Sequence, residues 1–344
     1  DMDGPAAPFT AAVLSRIKIL AGLDIAERRL PQDGRTQLAV RGTPVDLRVA
    51  TIPTVHGEAA VLRILDRANV ALTFDALGLS AATQTRLAGV MDRPNGIFLV
   101  TGPTGSGKTT TLYAALARLN ATDRKIIPVE DPVEYQLDGV TQCQVKPAVG
   151  LTFAAVLRAM LRHDPDILLV GEVRDVETAR IAAQAALTGH FVLTTLHTND
   201  AAGSLTRLLD MGLADYLVAS TLLGCAAQRL VRRLCPTCRA PCAAPAELMA
   251  TTGLDRQNGG ATTVYDAVGC DACAGTGYAG RTAITETLIM TPALRQLVLR
   301  RASAHEIAAT AVSEGMTTLY RDGLAKVAAG ETTLAEVLRV TQDA

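Results

Sequence analysis

The chain's clearest chemical statement is an octet, Gly102-Pro103-Thr104-Gly105-Ser106-Gly107-Lys108-Thr109, followed by Thr110. Glycines at Gly102, Gly105 and Gly107 let the backbone turn tightly enough for successive N–H groups to face one anion. A helix opening at Lys108 adds its positive N-terminal end. The Lys108 ammonium would reach the β- and γ-phosphates of a nucleoside triphosphate, and the Thr109 hydroxyl would ligate Mg²⁺. The spacing GxxxxGK[ST] carries this meaning only between a strand and a helix. Ile97–Thr101 is an apolar strand-like run and Lys108–Leu119 has helical periodicity, so the context is met.

Carboxylates recur where a triphosphate site needs them. The apolar run Ile126–Val129 leads into Glu130-Asp131-Pro132-Val133-Glu134, and Ile167–Val170 leads into Gly171-Glu172. In an open α/β sheet, the C-terminal ends of the strands border the ligand crevice. Glu172 fits a group that polarises an attacking water or holds Mg²⁺ through water. A third run, Phe191–Leu196, delivers His197 to the same rim, with Thr195 and Thr198 beside it. His197 is a γ-phosphate sensor, a carboxylate partner, or a plain surface histidine on spacing alone. No NKxD run for a guanine pocket occurs, which favours ATP.

Four of the seven cysteines form two knuckles, Cys235-Pro236-Thr237-Cys238 and Cys270-Asp271-Ala272-Cys273, 31 residues apart. Four thiolates with no open position describe a structural Zn²⁺ site. The long spacer adds only ~0.5 kcal/mol of closure cost over the usual one. A disulfide is the weaker reading in a long chain without a secretory signal. Cys242, beside Pro241, is the weaker ligand candidate, and Cys143 and Cys225 read as ordinary buried thiols.

The elements that must position these groups follow a strand–helix alternation. Predicted strands are Ile97–Thr101, Ile126–Glu130, Ile167–Val170 and Phe191–Leu196. Predicted helices are Lys108–Leu119, Phe153–Arg162, Val176–Leu187 and Ala201–Leu209. Short apolar strands without alternation are buried on both faces, and intervening helices imply right-handed crossovers and a parallel sheet. Before this core, Ala11–Leu20 reads as a helix, and Leu38–Val40 and Val45–Val49 read as short strands around Gly42-Thr43-Pro44. Residues Arg67–Ser80 read as a linker. After Cys235–Tyr278 the chain reads as mostly helical, with capping boxes at Ser303–Glu306 and Thr333–Glu336.

Composition narrows the function classes. Lys+Arg total 33 against 34 Asp+Glu, a net charge of −1, and the basic residues are 28 Arg and 5 Lys. With 49% apolar and 19% charged residues, disordered, collagen-like and coiled-coil chains are excluded. The charge balance lacks the footprint of a dedicated nucleic-acid binder, and 3% aromatics with no Trp leave little for base stacking. No apolar run approaches the ~20 residues of a membrane span, and Asp1–Pro8 lack the layout of a signal peptide. The chain is therefore expected to be cytoplasmic or membrane-peripheral. It opens at Asp1 without an initiator Met and reads as a fragment.

Taken in order, Gly102–Tyr113, Val129–Tyr135, Leu161–Asp166 through Gly171–Asp175, and Thr188–Asp200 resemble the Walker A, Asp box, Walker B and His box of secretion ATPases. These are the motors of type II secretion and type IV pilus assembly. The resemblance extends to Asp24–Arg35, Ala227–Cys235 and Thr333–Thr341, nearly the whole chain. It implies a RecA-like P-loop ATPase core that works as a homo-hexameric ring, in which a smaller domain swings as ATP is bound and hydrolysed. Glu172 would be the catalytic glutamate, and Glu130 and Glu134 would help place Mg²⁺ or water. Arg48, Arg63 and Arg158 would reach the phosphates. The family's tetracysteine subdomain agrees with zinc at Cys235, Cys238, Cys270 and Cys273. Its absence from pilus-retraction relatives favours assembly or secretion.

The implied layout is a partial N-terminal PAS-like α+β domain and linker at 1–75 and the ATPase domain at 76–234. A zinc subdomain at 235–280 and a helical subdomain at 281–344 follow. Only the second half of the small domain, from near Asp3-Gly4, is expected here. The domain that docks on inner-membrane platform proteins is expected to be missing. Arg207–Gly212 and Gly323–Thr341 look more like the type II secretion branch, with pilus assembly as the alternative. A helicase-type nucleic-acid motor is the reading from another class, supported by the basic cluster Arg229, Arg232, Arg233 and Arg239.

Overall fold

A computed structural model describes residues 9–40, 43–65, 72–243 and 263–341. The chain divides into two compact units, Asp1–Ala71 and Leu72–Ala344. The expected turn at Gly42, the start of the expected linker (67–71) and the front at Asp3-Gly4 lie outside the described residues, as does the middle of the cysteine segment (244–262).

The first unit holds one helix, α1 (Thr10–Leu20), and three antiparallel strands, β1 (Gln32–Val40), β2 (Thr43–Thr54) and β3 (Gly57–Leu65), in the order β1-β2-β3. The sheet is more extensive than the two short strands expected. Its strands are interrupted by Pro44, Pro53 and several arginines, so apolar alternation is faint, yet one buried face with Val49 and Thr51 suffices to fix the register. Lys18 of α1 is buried, pairs with Glu58 and donates to the Glu27 carbonyl oxygen at 2.7 Å. A buried ammonium is tolerated because it is both ion-paired and hydrogen-bonded.

The second unit is built on a seven-stranded sheet. Helix α2 (Ala81–Met91), capped by the Ser80 hydroxyl, leads into β4 (Gly96–Thr101), α3 (Lys108–Leu119), β5 (Ile126–Glu130) and the short β6 (Cys143–Gln144). Next come α4 (Phe153–Met160), β7 (Ile167–Val170), α5 (Val176–Leu187), β8 (Phe191–Leu196), α6 (Ala201–Asp210) and α7 (Asp215–Thr221). Strand β9 (Leu222–Leu234), the hairpin strands β10 (Ala240–Ala243) and β11 (Thr263–Asp266), and β12 (Tyr278–Ile289) follow. Four helices close the chain: α8 (Pro292–Leu299), α9 (Ala304–Ser313), α10 (Leu319–Ala328) and α11 (Leu334–Thr341).

The sheet order is β12-β9-β4-β8-β7-β5-β6. Strands β9 through β6 are mutually parallel, and β12 runs antiparallel to β9 along the edge. The predicted strands fall on β4, β5, β7 and β8, and every residue of these four is buried. Their alternate residues serve two cores. Ile97, Leu99, Leu168 and Val170 pack on the side of α4–α6, whereas Phe98, Val100, Ile167 and Leu169 pack on the side of α2 and α3. That two-sided burial is why these runs show no apolar–polar alternation.

Three strands of this sheet depart from the sequence expectation: the two-residue β6, β9 and β12. The sequence pattern predicts no strand at β9, and the stretch from Tyr278 to Ile289, expected to open a helical region, is the antiparallel partner of β9, with Gln228 opposite Thr285 and Arg229 opposite Ile284. The helical tail proper begins at Pro292. Its capping boxes form by half: Ser303 and Thr333 accept the Glu306 and Glu336 backbone N–H groups, while those two carboxylates turn instead to Arg300 and to Arg232 and Arg339. Among the described residues, no helix is long and apolar enough to cross a membrane.

Candidate active site and metal centre

Strand β4 ends at Thr101 and α3 begins at Lys108, so the glycine-rich octet spans a strand-to-helix turn as its spacing requires. Gly107 caps α3 with φ +89°, a backbone region that β-carbon-bearing residues rarely adopt. Lys108 folds over its own loop, donating to the Gly102 carbonyl oxygen at 2.7 Å and to that of Pro103 at 3.0 Å. Burial pushes its ammonium below the usual lysine range, against the opposing pull of Glu172. The Ser106 Oγ is buried in the loop with no hydrogen-bond partner among the described residues, an open acceptor and donor inside the cradle. Thr109 is exposed at the first turn of α3, where its hydroxyl can serve a cation, and Thr110 is half-buried beside it.

Sheet order puts β8 between β4 and β7. The end of β8 therefore separates the phosphate loop from the end of β7. Glu172 follows β7, where the Gly171 N–H bonds the Val129 carbonyl oxygen at 2.8 Å and the Val173 N–H bonds that of Thr195 at 3.0 Å. The Thr195 hydroxyl closes the same corner by donating to the Gly171 carbonyl oxygen at 2.7 Å. His197 lies with Nε2 3.5 Å from one carboxylate oxygen of Glu172. Arg174, which sequence reasoning did not single out, holds the other oxygen at 2.6 Å. Its only sequence signal was its position two residues after Glu172.

Glu130, at the end of β5, is buried. Its Oε2 accepts from the Tyr113 hydroxyl at 2.5 Å and its Oε1 from the Gln142 side-chain amide at 3.2 Å. The Tyr113 oxygen in turn accepts from the Glu134 and Tyr135 N–H groups at 3.2 and 3.4 Å. Burial, then Glu130, push the Tyr113 phenol well above its ordinary range. Glu134 is half-buried on this tied segment.

Of the three arginines, Arg158 belongs to the second unit and Arg48 and Arg63 to the first. Arg158, on α4, pairs with Glu177 at the start of α5, and both are about half exposed. Arg48 on β2 stands directly opposite Arg63 on β3, and Arg35 on β1 stands directly opposite Arg48. Directly opposed residues share a face, so three guanidinium-bearing residues line one row across the first unit's sheet.

The basic cluster suspected of gripping nucleic acid is largely committed elsewhere. Arg229 is buried and donates to the Asn199 and Gln228 carbonyl oxygens at 2.8 and 3.1 Å. Arg232 pairs with Glu336 at 2.9 Å and stacks over Tyr278. Arg239 donates to the Gly330 carbonyl oxygen at 2.6 Å and lies over Tyr265.

The metal expectation is met in geometry. The Sγ atoms of Cys235, Cys238, Cys270 and Cys273 all lie within 4.8 Å of one another, with 3.9 Å between Cys235 and Cys270 and 3.8 Å from Cys273 to both Cys238 and Cys270. A tetrahedron of Zn–S bonds of ~2.3 Å has edges of ~3.8 Å, so the four thiols are spaced for this ion. Backbone N–H groups support the sulfurs: Gly269 bonds Cys238 at 3.3 Å, and Cys270 and Gly277 bond Cys273 at 3.2 Å. The Cys270 N–H, opposed by burial and helped by the Gly277 N–H, holds the Cys273 thiol down at about 6. Cys242 stands on β10 outside this cluster, as expected.

Comparison with known proteins agrees with this geometry. The profile of the family described as "Type II/IV secretion system protein" matches residues 2–339. A protein of Xanthomonas campestris named type II secretion system protein E is 56% identical over 99% of this chain and 60% of its own length. Type II secretion system protein HxcR of Pseudomonas aeruginosa is 51% identical over 100% of this chain and 69% of its own length. Type II secretion system ATPase E of Vibrio cholerae is 48% identical over 98% and 67%. The chain thus spans roughly three-fifths to two-thirds of the length of these relatives. Among solved structures, the pilus retraction motor PilT with bound ADP superposes with a TM-score of 0.66 at 28% identity, covering 91% of this chain and 78% of that one. The ATPase DotB of Yersinia pseudotuberculosis shares the fold, with a TM-score of 0.69 at 22% identity over 96% and 82%.

Proposed function

Because this chain belongs to the type II/IV secretion system protein family, we propose that it is the catalytic part of a motor ATPase that drives pseudopilus assembly and protein export in type II secretion. The observation that carries this reading is the arrangement of Lys108 on the phosphate loop and Glu172 at the end of β7, with His197 between them on the end of β8. In this reading ATP lies along the octet Gly102–Thr109. Lys108 leaves the Gly102 and Pro103 carbonyl oxygens to meet the phosphates, and Glu172 polarises the attacking water. Thr109, with Glu134, would hold Mg²⁺, which neutralises charge on the phosphate oxygens when bound. Glu130 acts by holding the segment 134–135 through Tyr113, since both its oxygens are engaged. Arg48 and Arg63 would offset phosphate charge, as the family resemblance implies. Arg158 would join them by exchanging Glu177 for a phosphate.

The wider setting is a homo-hexamer at the cytoplasmic face of the inner membrane, bound to the secretion platform. The names of the relatives support the type II branch over pilus assembly. The four cysteines would hold a structural Zn²⁺ that ties the end of β9 to the start of β12. A nucleic-acid motor is disfavoured by the engagement of Arg229, Arg232 and Arg239 within the protein.

Steady-state ATP hydrolysis against protein concentration, with and without single-stranded DNA, tests the reading. Specific activity that climbs with concentration and ignores DNA supports sites completed between subunits. Activity flat with concentration and stimulated by DNA overturns it in favour of a nucleic-acid motor.

A further inference from the structure

Gln228 is fully buried in the middle of β9, 122 residues beyond Ser106 in sequence, yet both ends of its side-chain amide are used at the phosphate loop. Its Nε2 donates to the Ser106 carbonyl oxygen at 2.8 Å, and its Oε1 accepts from the Thr111 hydroxyl, one turn into α3, at 2.7 Å. A β-carbon at Gly107 would lie 2.7 Å from that Nε2, and one at Gly102 would lie 2.5 Å from the Gln228 backbone oxygen. Gln228 therefore occupies the wall against which two of the loop's glycines pack, and any side chain at those glycines would displace it.

We propose that Gln228 is a positioning residue of the triphosphate site, one that sets the direction of the loop's N–H groups without touching the nucleotide. The reason is the planarity of the peptide unit. In a trans peptide the C=O and the following N–H point in opposite directions. With the Ser106 carbonyl pinned to Gln228, the Gly107 N–H is aimed away from β9, toward the inside of the loop where an anion is cradled. The Thr111 contact fixes the first turn of α3 to the same amide, so the loop and the helix N-terminus are oriented as one piece. Leaving this to chance would let the Ser106–Gly107 peptide flip, because glycine accepts either orientation at little cost. The inference rests on the reading of the octet as the ATP site and adds a residue outside the octet to it.

A contact of this kind acts on bound substrate and transition state alike, so its loss raises KM and leaves kcat nearly unchanged. The test compares Gln228→Leu, Gln228→Glu and Thr111→Val with the unsubstituted chain, measuring KM and kcat for ATP, direct Kd for a fluorescent ATP analogue, and thermal melting. The expected result is a KM and Kd for Gln228→Leu and Gln228→Glu raised by ~10-fold or more, with kcat within ~3-fold. Thr111→Val, which leaves the Ser106 contact in place but frees the other end of the amide, raises both by less than Gln228→Leu does. A merely structural role predicts a lower melting temperature with KM unchanged in the folded protein, and that result overturns the proposal. Gln228→Glu keeps the volume but sets an oxygen against the Ser106 carbonyl. If Gln228→Leu does not fold, an unchanged KM in Gln228→Glu is sufficient to overturn the proposal. Absence of any ATP affinity in the unsubstituted chain overturns the site reading and this inference together. Normal affinity there with unchanged variants overturns this inference alone.

Discussion

The Arg174 guanidinium lies 2.6 Å from the Glu172 carboxylate two residues before it, while His197 stands 3.5 Å from that carboxylate's other oxygen. Glu172 is only 14% exposed, whereas Arg174 and His197 are more than half exposed. The acid is thus held at the rim by two groups that solvent, nucleotide or a neighbouring chain can reach.

If Glu172 polarises the attacking water, Glu172→Gln keeps the shape and loses the base. We expect ATP binding to persist while kcat falls ~100-fold or more. Binding and single-turnover hydrolysis measured together check this, and hydrolysis at the parent rate would remove Glu172 from the chemistry.

Lys108→Ala removes the only lysine of the loop. Because Lys108 bonds just its own loop's carbonyl oxygens, the fold should melt within a few degrees of the parent. ATP turnover should vanish, since the phosphates lose their cation. Turnover that survives in a highly purified variant would place hydrolysis at another site.

Metal analysis of the purified chain should find one zinc per chain. Cys235→Ser with Cys270→Ser should lose that zinc and at least ~2 kcal/mol of stability, because metal affinity is folding free energy for such a site. Nucleotide binding at the octet should survive, since β4 and α3 contain none of the cysteines. A parent protein without zinc would refute the metal centre.

Acid sensitivity should centre on Glu336. Burial alone would push its carboxyl up, but the hydrogen bonds from Arg339 and Arg232 outweigh burial and hold it at about 2, against 4.5 unperturbed. The folded value lies below the unfolded one, so the unfolded chain binds more protons between these pH values and stability falls as pH drops through that window. The contribution is about 2 kcal/mol, discounted because both arginines are half exposed. Melting temperature followed from pH 5 down to 3 (roughly the upper part of that window) should fall less steeply for Glu336→Gln, and parallel curves would dismiss this ion pair as the cause.

Much of the site was legible because its chemistry is written in consecutive residues. The octet Gly102–Thr109, Glu172 after four apolar residues and the two cysteine knuckles each need only short-range spacing to be read. Four of the seven core strands were legible for a related reason: burial on both faces leaves an uninterrupted apolar run. Strand β12 escaped because Thr282, Thr285, Glu286 and Thr287, although buried, break such a run with polar side chains, and β3 escaped because its sheet buries only one face. The loop-holding role of Gln228, the Arg174 clamp and the tie from Glu130 to Tyr113 left no pattern in the chain.

The sequence by itself pointed to the kind of ligand, since a glycine-rich turn with one lysine and an acidic strand end leave few chemical alternatives, and it set four paired thiols at the spacing of metal ligands. Only the tertiary structure decided which side chains hold those groups in position. Gln228 reaches Ser106 across 122 residues and Arg232 reaches Glu336 across 104. Such partners are selected by strand order and register, through the simultaneous burial of both sheet faces. Long-range packing of that kind is a property of the whole fold, and no local window of residues contains it.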